Sequence, residues 1–296
     1  MKALIFSLGL KGFSVVRALA ESSSCPSIFC VIGQDSGVLD DYSFKLVSYC
    51  NQRNIKYSLR EDISYNVDDY DLFFAVGWRW IIRGIPQEKL IVFHDALLPR
   101  YRGFAPLVNA LINREKTTGV TALLGADKYD RGNILLQKTL NITYPTSIER
   151  EIHRISLLYA ELAEELLVKL NNGAIQINGY PQDENEATYS LWRDENDYRI
   201  NWAEDANDIE HFINCVSFPY KGACAILDDS VVRVVKARAS EDVRIENRSP
   251  SLGKVVFVES NLPVVVCGSG LLLLVDVRNE QGESVLPLKH FRSRFY

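Results

Sequence analysis

Three absences shape this sequence. Nowhere in its 296 residues do about 18 apolar residues run together, the length a membrane-spanning helix needs. The apolar start Met1-Lys-Ala-Leu-Ile-Phe reaches Gly9 too soon for a signal peptide and reads as a first strand. No CxxC, HExxH, GxGxxG or P-loop pattern occurs, so zinc chemistry, dinucleotide binding through a glycine fingerprint and NTP hydrolysis have no sequence support. Positive charge is not in excess either: the formal net charge is −5, a poor basis for neutralising a run of phosphates. The six cysteines, Cys25, Cys30, Cys50, Cys215, Cys224 and Cys267, lie in or beside apolar stretches. They read as buried reduced thiols of a cytoplasmic protein. Repeats and low-complexity tracts are lacking.

What is present is ordinary globular composition, 47% hydrophobic and 24% charged, over a length that favours two domains. Apolar runs at Ala3–Phe6, Ile28–Ile32, Leu72–Val76, Leu90–Phe93 and Val120–Leu124 alternate with helical patterns at Gly12–Ala20, Phe44–Arg53 and Pro106–Asn113. That spacing predicts an α/β fold: a Rossmann-like, mostly parallel sheet with helices on both faces. The strongest helix spans Ser147–Leu170, with Ser147 as N-cap, acids in its first turn and Asn171-Asn-Gly173 as its stop. Residues 181–199 open with an acidic stretch and read as a linker between a catalytic domain at 1–180 and a second domain at 200–296. Short β-type runs at Val231, Lys254, Pro263 and Leu271 predict a small all-β, OB-like barrel there.

Two loops carry the chemistry. The run His94-Asp-Ala-Leu-Leu-Pro-Arg-Tyr-Arg-Gly-Phe-Ala-Pro106 puts a histidine at the end of an apolar run, and Asp130 follows 24 residues later, after another. In an open parallel sheet ligands bind beyond the carboxyl ends of the strands, so Gly77, His94 and Asp130 are expected on one rim. A histidine there suits proton transfer near neutral pH, and an aspartate at its far nitrogen would support its charge. The alternative is a satisfied core histidine and a turn aspartate. Arg100 and Arg102, in the loop after His94, look built to hold an anion. Asp95 reads as a loop or capping residue. In Gly77-Trp-Arg-Trp80 the two tryptophans either line a slot for a flat ring or pack as core.

The segment from Asp71 to Leu170 resembles the catalytic domain of folate-dependent formyltransferases. The resemblance rests on His94, Leu97-Leu-Pro-Arg-Tyr-Arg-Gly103, Ala105-Pro106, Ala110-Leu-Ile-Asn113, Thr118-Gly-Val-Thr121, and Asp130 with Gly132. Ile200-Asn-Trp202 and Pro219-Tyr-Lys-Gly-Ala223 resemble the small domain that follows in several of these enzymes. The resemblance implies formyl transfer from 10-formyltetrahydrofolate to a primary amine, with His94 and Asp130 catalytic. It implies a folate pocket near Gly77, Trp78, Arg79, Trp80, Leu98, Ala126, Asp127 and Tyr129, and a substrate site at Arg100, Arg102, Gly103 and Phe104. No metal is implied. The family's asparagine two positions before the histidine, an oxyanion donor, is Val92 here. Another donor, among them Asn109, Asn113, a backbone amide or water, would have to replace it.

For the amine, the charge pattern points to a nucleotide-linked amino sugar of surface-polysaccharide synthesis and away from nucleic acid. The early loop Asp35–Tyr42 is acidic, and residues 185–296 hold 13 Lys and Arg against 17 Asp and Glu. A methionyl-tRNA formyltransferase is the second reading. A degenerate member that binds folate or a partner without chemistry is the third. The β edges of the second domain leave a homodimer open.

Overall fold

The computed structural model describes residues 1–22, 27–172 and 178–296. Cys25 and Gly173, assigned above to a buried thiol and a helix stop, lie outside the described residues. The remaining five cysteines are buried and unbridged.

The first sheet has seven strands. β1 (Lys2–Ser7) and β4 (Leu72–Val76) are apolar on both faces and buried almost throughout, as befits central strands covered from two sides. β2 (Ser27–Ile32), β3 (Lys56–Leu59) and β5 (Leu90–His94) run parallel to them. β7 (Thr117–Leu124) and β8 (Ile134–Asn141) complete the order β3-β2-β1-β4-β5-β7-β8. β6 (Arg102–Gly103) and β9 (Tyr189–Ser190) form a separate two-stranded parallel pair. Helices α1 (Gly9–Glu21), α2 (Ser43–Arg53), α3 (Pro106–Ile112) and α4 (Ile148–Asn171) connect the strands. Proline opens α3, where its missing N–H costs nothing. On α4, Ile155, Tyr159, Leu162 and Leu166 form the buried stripe.

One expectation is corrected here. β7 runs antiparallel to β5, with His94 opposite Thr121 and Ile91 opposite Leu124. The turn that carries Asp130 therefore starts beside Leu90, at the far end of β5, and does not rise from the same rim as Gly77 and His94. It begins with the Gly125 amide donating to the Leu90 carbonyl at 2.7 Å. It then folds back over the sheet face. Asp130 takes a left-handed backbone (φ 54°), and Gly132 lies so close to the Leu124 carbonyl that a Cβ would collide with it. A hairpin delivers Asp130 where a parallel crossover was expected.

The chain divides into two compact units: 1–36 with 40–143 and 150–192, and 37–39 with 144–149 and 193–296. The second unit is built on five antiparallel strands: β10 (Ala223–Leu227), β11 (Ser230–Ser240), β12 (Val255–Glu259), β13 (Leu262–Val266) and β14 (Leu271–Asn279). Their order is β10-β11-β14-β13-β12. Residues 293–296 join the two edges. Tyr296 exchanges both backbone bonds with Ile226 of β10 at 2.9 Å, while Phe295 donates to Gly253 at 2.8 Å, beside β12. Helix α5 (Ala206–Val216), capped by the Asp205 carboxylate accepting from the Asn207 amide at 2.8 Å, buries Ile209, Ile213 and Val216. Among the described residues no helix is long and apolar enough to cross a membrane.

Candidate active site

His94 ends β5 and is buried. Its Nε2 lies 2.7 Å from the Tyr101 carbonyl. A carbonyl only accepts, which assigns the ring proton to Nε2 and leaves Nδ1 as the basic nitrogen. Nδ1 faces Oδ1 of Asp130 at 3.6 Å, beyond hydrogen-bond length but within ion-pair range. The other oxygen of Asp130 accepts from the Gly103 amide at 2.8 Å. A proton arriving at Nδ1 thus meets a carboxylate already fixed in place.

The loop after His94 is pinned from below. Thr121 Oγ1 accepts from the Leu98 amide at 3.1 Å and donates to the Ala96 carbonyl at 2.6 Å. Gln137 donates to the Leu98 carbonyl at 2.9 Å. Leu98, Leu123 and Ile134 form a small apolar cluster, and Val92 packs on it. Val92 and His94 alternate onto the same face of β5, so an apolar patch borders the histidine. Both asparagines suggested as its substitute already donate to neighbouring oxygens. Asn109 donates to the Ala105 carbonyl at 3.0 Å, and Asn113 to the Tyr101 hydroxyl at 3.1 Å.

Asp95 is more than a loop residue. It pairs with Lys11 of α1 and accepts from the buried Tyr159 hydroxyl of α4. Burial would raise its pKa, but the Lys11 charge and these hydrogen bonds outweigh it and hold the carboxyl below its usual range. Burial, reinforced by the Asp95 charge, pushes the Tyr159 phenol well up. The pair clamps α1 and α4 onto the turn that follows His94.

The remaining site residues divide into two groups. Gly103, Phe104, Tyr129 and Asp130 come together: the exposed rings of Phe104 and Tyr129 lie 6.0 Å apart beside the Gly103–Asp130 bond. Ala126 is exposed in the same turn, and Asp127 accepts from Gln87 at 2.9 Å. Trp78, Arg79 and Trp80 follow β4, the strand beside β5, and turn toward the end of β2. The two tryptophans pack edge to face at 4.8 Å, Trp78 against Phe6, and both crowd Gly33 at the end of β2. Arg79 pairs with Asp35, and Gly77 (φ 62°) passes directly over the Leu8 carbonyl. Arg100 is half exposed and bonded to Glu115 at 2.6 Å.

Arg102 is fully buried, and its guanidinium is occupied. Gln182 Oε1 accepts at 3.0 and 2.8 Å, Glu184 at 3.0 and 2.9 Å, and the Tyr189 hydroxyl at 3.3 Å. The Glu184 bond, opposed by burial, raises the arginine pKa further. Residues 182–190 therefore belong to the first unit's site through β6 and β9. No local spacing ties position 102 to position 182, so sequence reasoning had no signal for it. Among the described residues, no group of three or more histidine, cysteine, aspartate or glutamate side chains is placed to hold a metal ion.

A mostly parallel α/β sheet, an acid/base pair folded over β5 and a small closed β unit together define the formyltransferase fold. Solved structures share it. A sugar 3N-formyl transferase, solved with dTDP and 5-N-formyl-THF, overlays with a TM-score of 0.63 at 17% identity, covering 95% of this chain and 98% of that one. The N-formyltransferase from Helicobacter canadensis, solved with folinic acid and dTDP-3-aminofucose, gives 0.65 at 16% identity, covering 93% and 98%. Two family models match the sequence, Formyl transferase over residues 69–166 and Formyl transferase, C-terminal domain over residues 193–294. The chain belongs to the formyltransferase family. Its curated relatives include the methionyl-tRNA formyltransferases of Thermodesulfovibrio yellowstonii, 34% identical over 71% of this chain, and Citrifermentans bemidjiense, 31% identical over 70%. The match spans 64% and 62% of those proteins, under two thirds of their length.

Proposed function

We propose that the protein transfers a formyl group from 10-formyltetrahydrofolate to the primary amine of a nucleotide-linked amino-deoxysugar. The observation that carries the reaction type is the His94–Asp130 pair, with Nε2 on the Tyr101 carbonyl and Nδ1 3.6 Å from a fixed carboxylate. The neutral amine attacks the formyl carbon, forming a C–N bond and a tetrahedral oxyanion. His94 takes the amine proton and returns it to the departing donor nitrogen as the old C–N bond breaks, and Asp130 balances the transient imidazolium. With valine at position 92, the oxyanion draws on another donor: a backbone amide, water or the Asn113 amide proton that is not given to Tyr101. The exposed rings of Phe104 and Tyr129 suit a flat ligand beside the pair, whereas Trp78 and Trp80 are packed against Gly33 and Phe6.

The sugar reading is supported by charge. Residues 185–296 carry an acidic excess, and the loop at 35–42 is acidic, so extended phosphate contacts find few cations. A diphosphate needs one or two. Arg100 is the exposed candidate in the loop after His94, while Arg102 is spent on internal bonds. The second reading, formylation of methionyl-tRNA, is favoured by the 34% identity to such an enzyme. Incubation with 10-formyltetrahydrofolate and each amine class separates the two. His94→Gln should abolish transfer in either case, and full activity in that variant would refute the mechanism.

A further inference from the structure

The hydrogen bonds around Gln182 have a use that the reaction scheme leaves open. Its carbonyl oxygen accepts two N–H groups from Arg102, at 3.0 and 2.8 Å. Its amide nitrogen donates to the Asp130 carbonyl at 2.7 Å and the Gly132 carbonyl at 2.8 Å. Every hydrogen of the amide is used, and each end grips a different loop. Arg102 belongs to the loop that begins at His94, whereas Asp130 and Gly132 belong to the β7–β8 turn. The two loops start at opposite ends of β5, and the antiparallel course of β7 gives them no shared rim. Beyond Gln182, the two loops meet at the Gly103 amide bond to Asp130 and at the Phe104 and Tyr129 rings, and Arg131 of the turn reaches the Tyr189 hydroxyl and Glu184, which also hold Arg102.

We infer that Gln182 is a positioning residue: it fixes the Asp130 turn against the buried Arg102 and so sets the gap between the aspartate and His94. Asp130 has a left-handed backbone (φ 54°), which aspartate adopts more readily than most side chains, and a restraint from outside the turn fixes where its carboxylate lies. Gln182 supplies one from both sides of the residue, at the carbonyls of 130 and 132. Arg102 is the anchor, because Glu184 holds its other face at 2.9 and 3.0 Å. Glutamine suits the task because one planar group accepts from a cation and donates to two carbonyls. The inference rests on the assignment of His94 and Asp130 as the acid/base pair.

The test uses the intact chain and needs no substrate. Ring-nitrogen NMR resonances of His94 are compared in wild type, Gln182→Met and Glu184→Gln, at one pH and with melting curves recorded alongside. His94→Gln identifies the signals among those of the four histidines. Gln182→Met is expected to move the Nδ1 resonance and leave the Nε2 resonance, held by the Tyr101 carbonyl, in place. Glu184→Gln keeps an amide acceptor for Arg102 and removes the charge that Arg102 and, at 3.7 Å, Arg131 of the turn share, and it is expected to move Nδ1 much less than Gln182→Met does. An unmoved Nδ1 in Gln182→Met, or an equal shift in Glu184→Gln, overturns the proposal. Should Gln182→Met not fold, Gln182→Glu keeps the acceptor for Arg102, removes the amide protons and is read by the same criteria. Where an amine substrate is in hand, Gln182→Met lowers kcat about ten- to a hundredfold with KM little changed, as a displaced catalytic group does. A wild type that formylates no amine defeats the functional reading while the resonance comparison still decides this one.

Discussion

His94 and Asp130 face each other across 3.6 Å, while the other ring nitrogen of His94 is held 2.7 Å from the Tyr101 carbonyl. Such a pair is at its best when the imidazole becomes charged, since the carboxylate then gains a charge-assisted partner. The gap is maintained by the Gly103 amide on one oxygen of Asp130 and by the Gln182 amide behind it.

Removing either member should be felt in kcat. A positioned general acid–base contributes roughly 100- to 10,000-fold, so His94→Gln should cost that much or more. Asp130→Asn keeps the shape and removes the charge. It should lower kcat by a smaller factor while leaving the melting temperature near that of wild type. Rates from single turnovers, with thermal melts beside them, check both expectations.

Lys11 and Asp95 form a nearly buried ion pair under the same loop. Lys11→Met leaves the carboxylate without its cation and should cost about 3 kcal/mol of stability, the scale for breaking a buried pair. Because the folded pKa of Asp95 is depressed, the contribution is present in full above the unfolded value, about 3.9, and is lost as pH falls through the folded one. Wild type should therefore lose stability relative to Lys11→Met as acid is added below about pH 4. Denaturant midpoints across that range measure the difference.

Arg100 and Arg102 stand two positions apart in the sequence yet should behave differently. Arg102→Lys cannot reproduce the fork that Gln182 and Glu184 accept, and it buries an ammonium where the guanidinium makes five hydrogen bonds. Its main effect should be a lower melting temperature. Arg100→Ala removes a half-exposed group whose pair with Glu115 is worth little. It should leave the melt unchanged and raise KM for a diphosphate-bearing substrate. Melting curves and KM values on both variants separate the two roles.

The same pair of arginines shows where the sequence stops being informative. β1, β4 and β5 were legible because continuous apolar runs fit strands covered on both faces, and His94 was legible because it closes one of them. The direction of β7 was not. Val120–Leu124 reads alike in a parallel and an antiparallel setting, and β8, with its polar Gln137, Lys138 and Thr139, gives no strong apolar signal. The loop pattern that marked Arg102 could not show its partners 80 residues away. Helix α5 escaped notice because the second domain was read as all-β, although Asp205 is an ordinary N-cap. Trp78 and Trp80 were open between slot and core. Both rings fill the space that a side chain at Gly33 would take, and both stay partly exposed.

The central claim, that the acceptor amine sits on a nucleotide sugar, is met most directly by mass spectrometry. The full chain is incubated with 10-formyltetrahydrofolate and a panel of UDP-, dTDP-, GDP- and CMP-linked amino sugars, with methionyl initiator tRNA in a parallel reaction. The account predicts that one sugar gains the mass of a formyl group, that the tRNA does not, and that His94→Gln abolishes the gain. Formylated methionyl-tRNA with every sugar unchanged would contradict it.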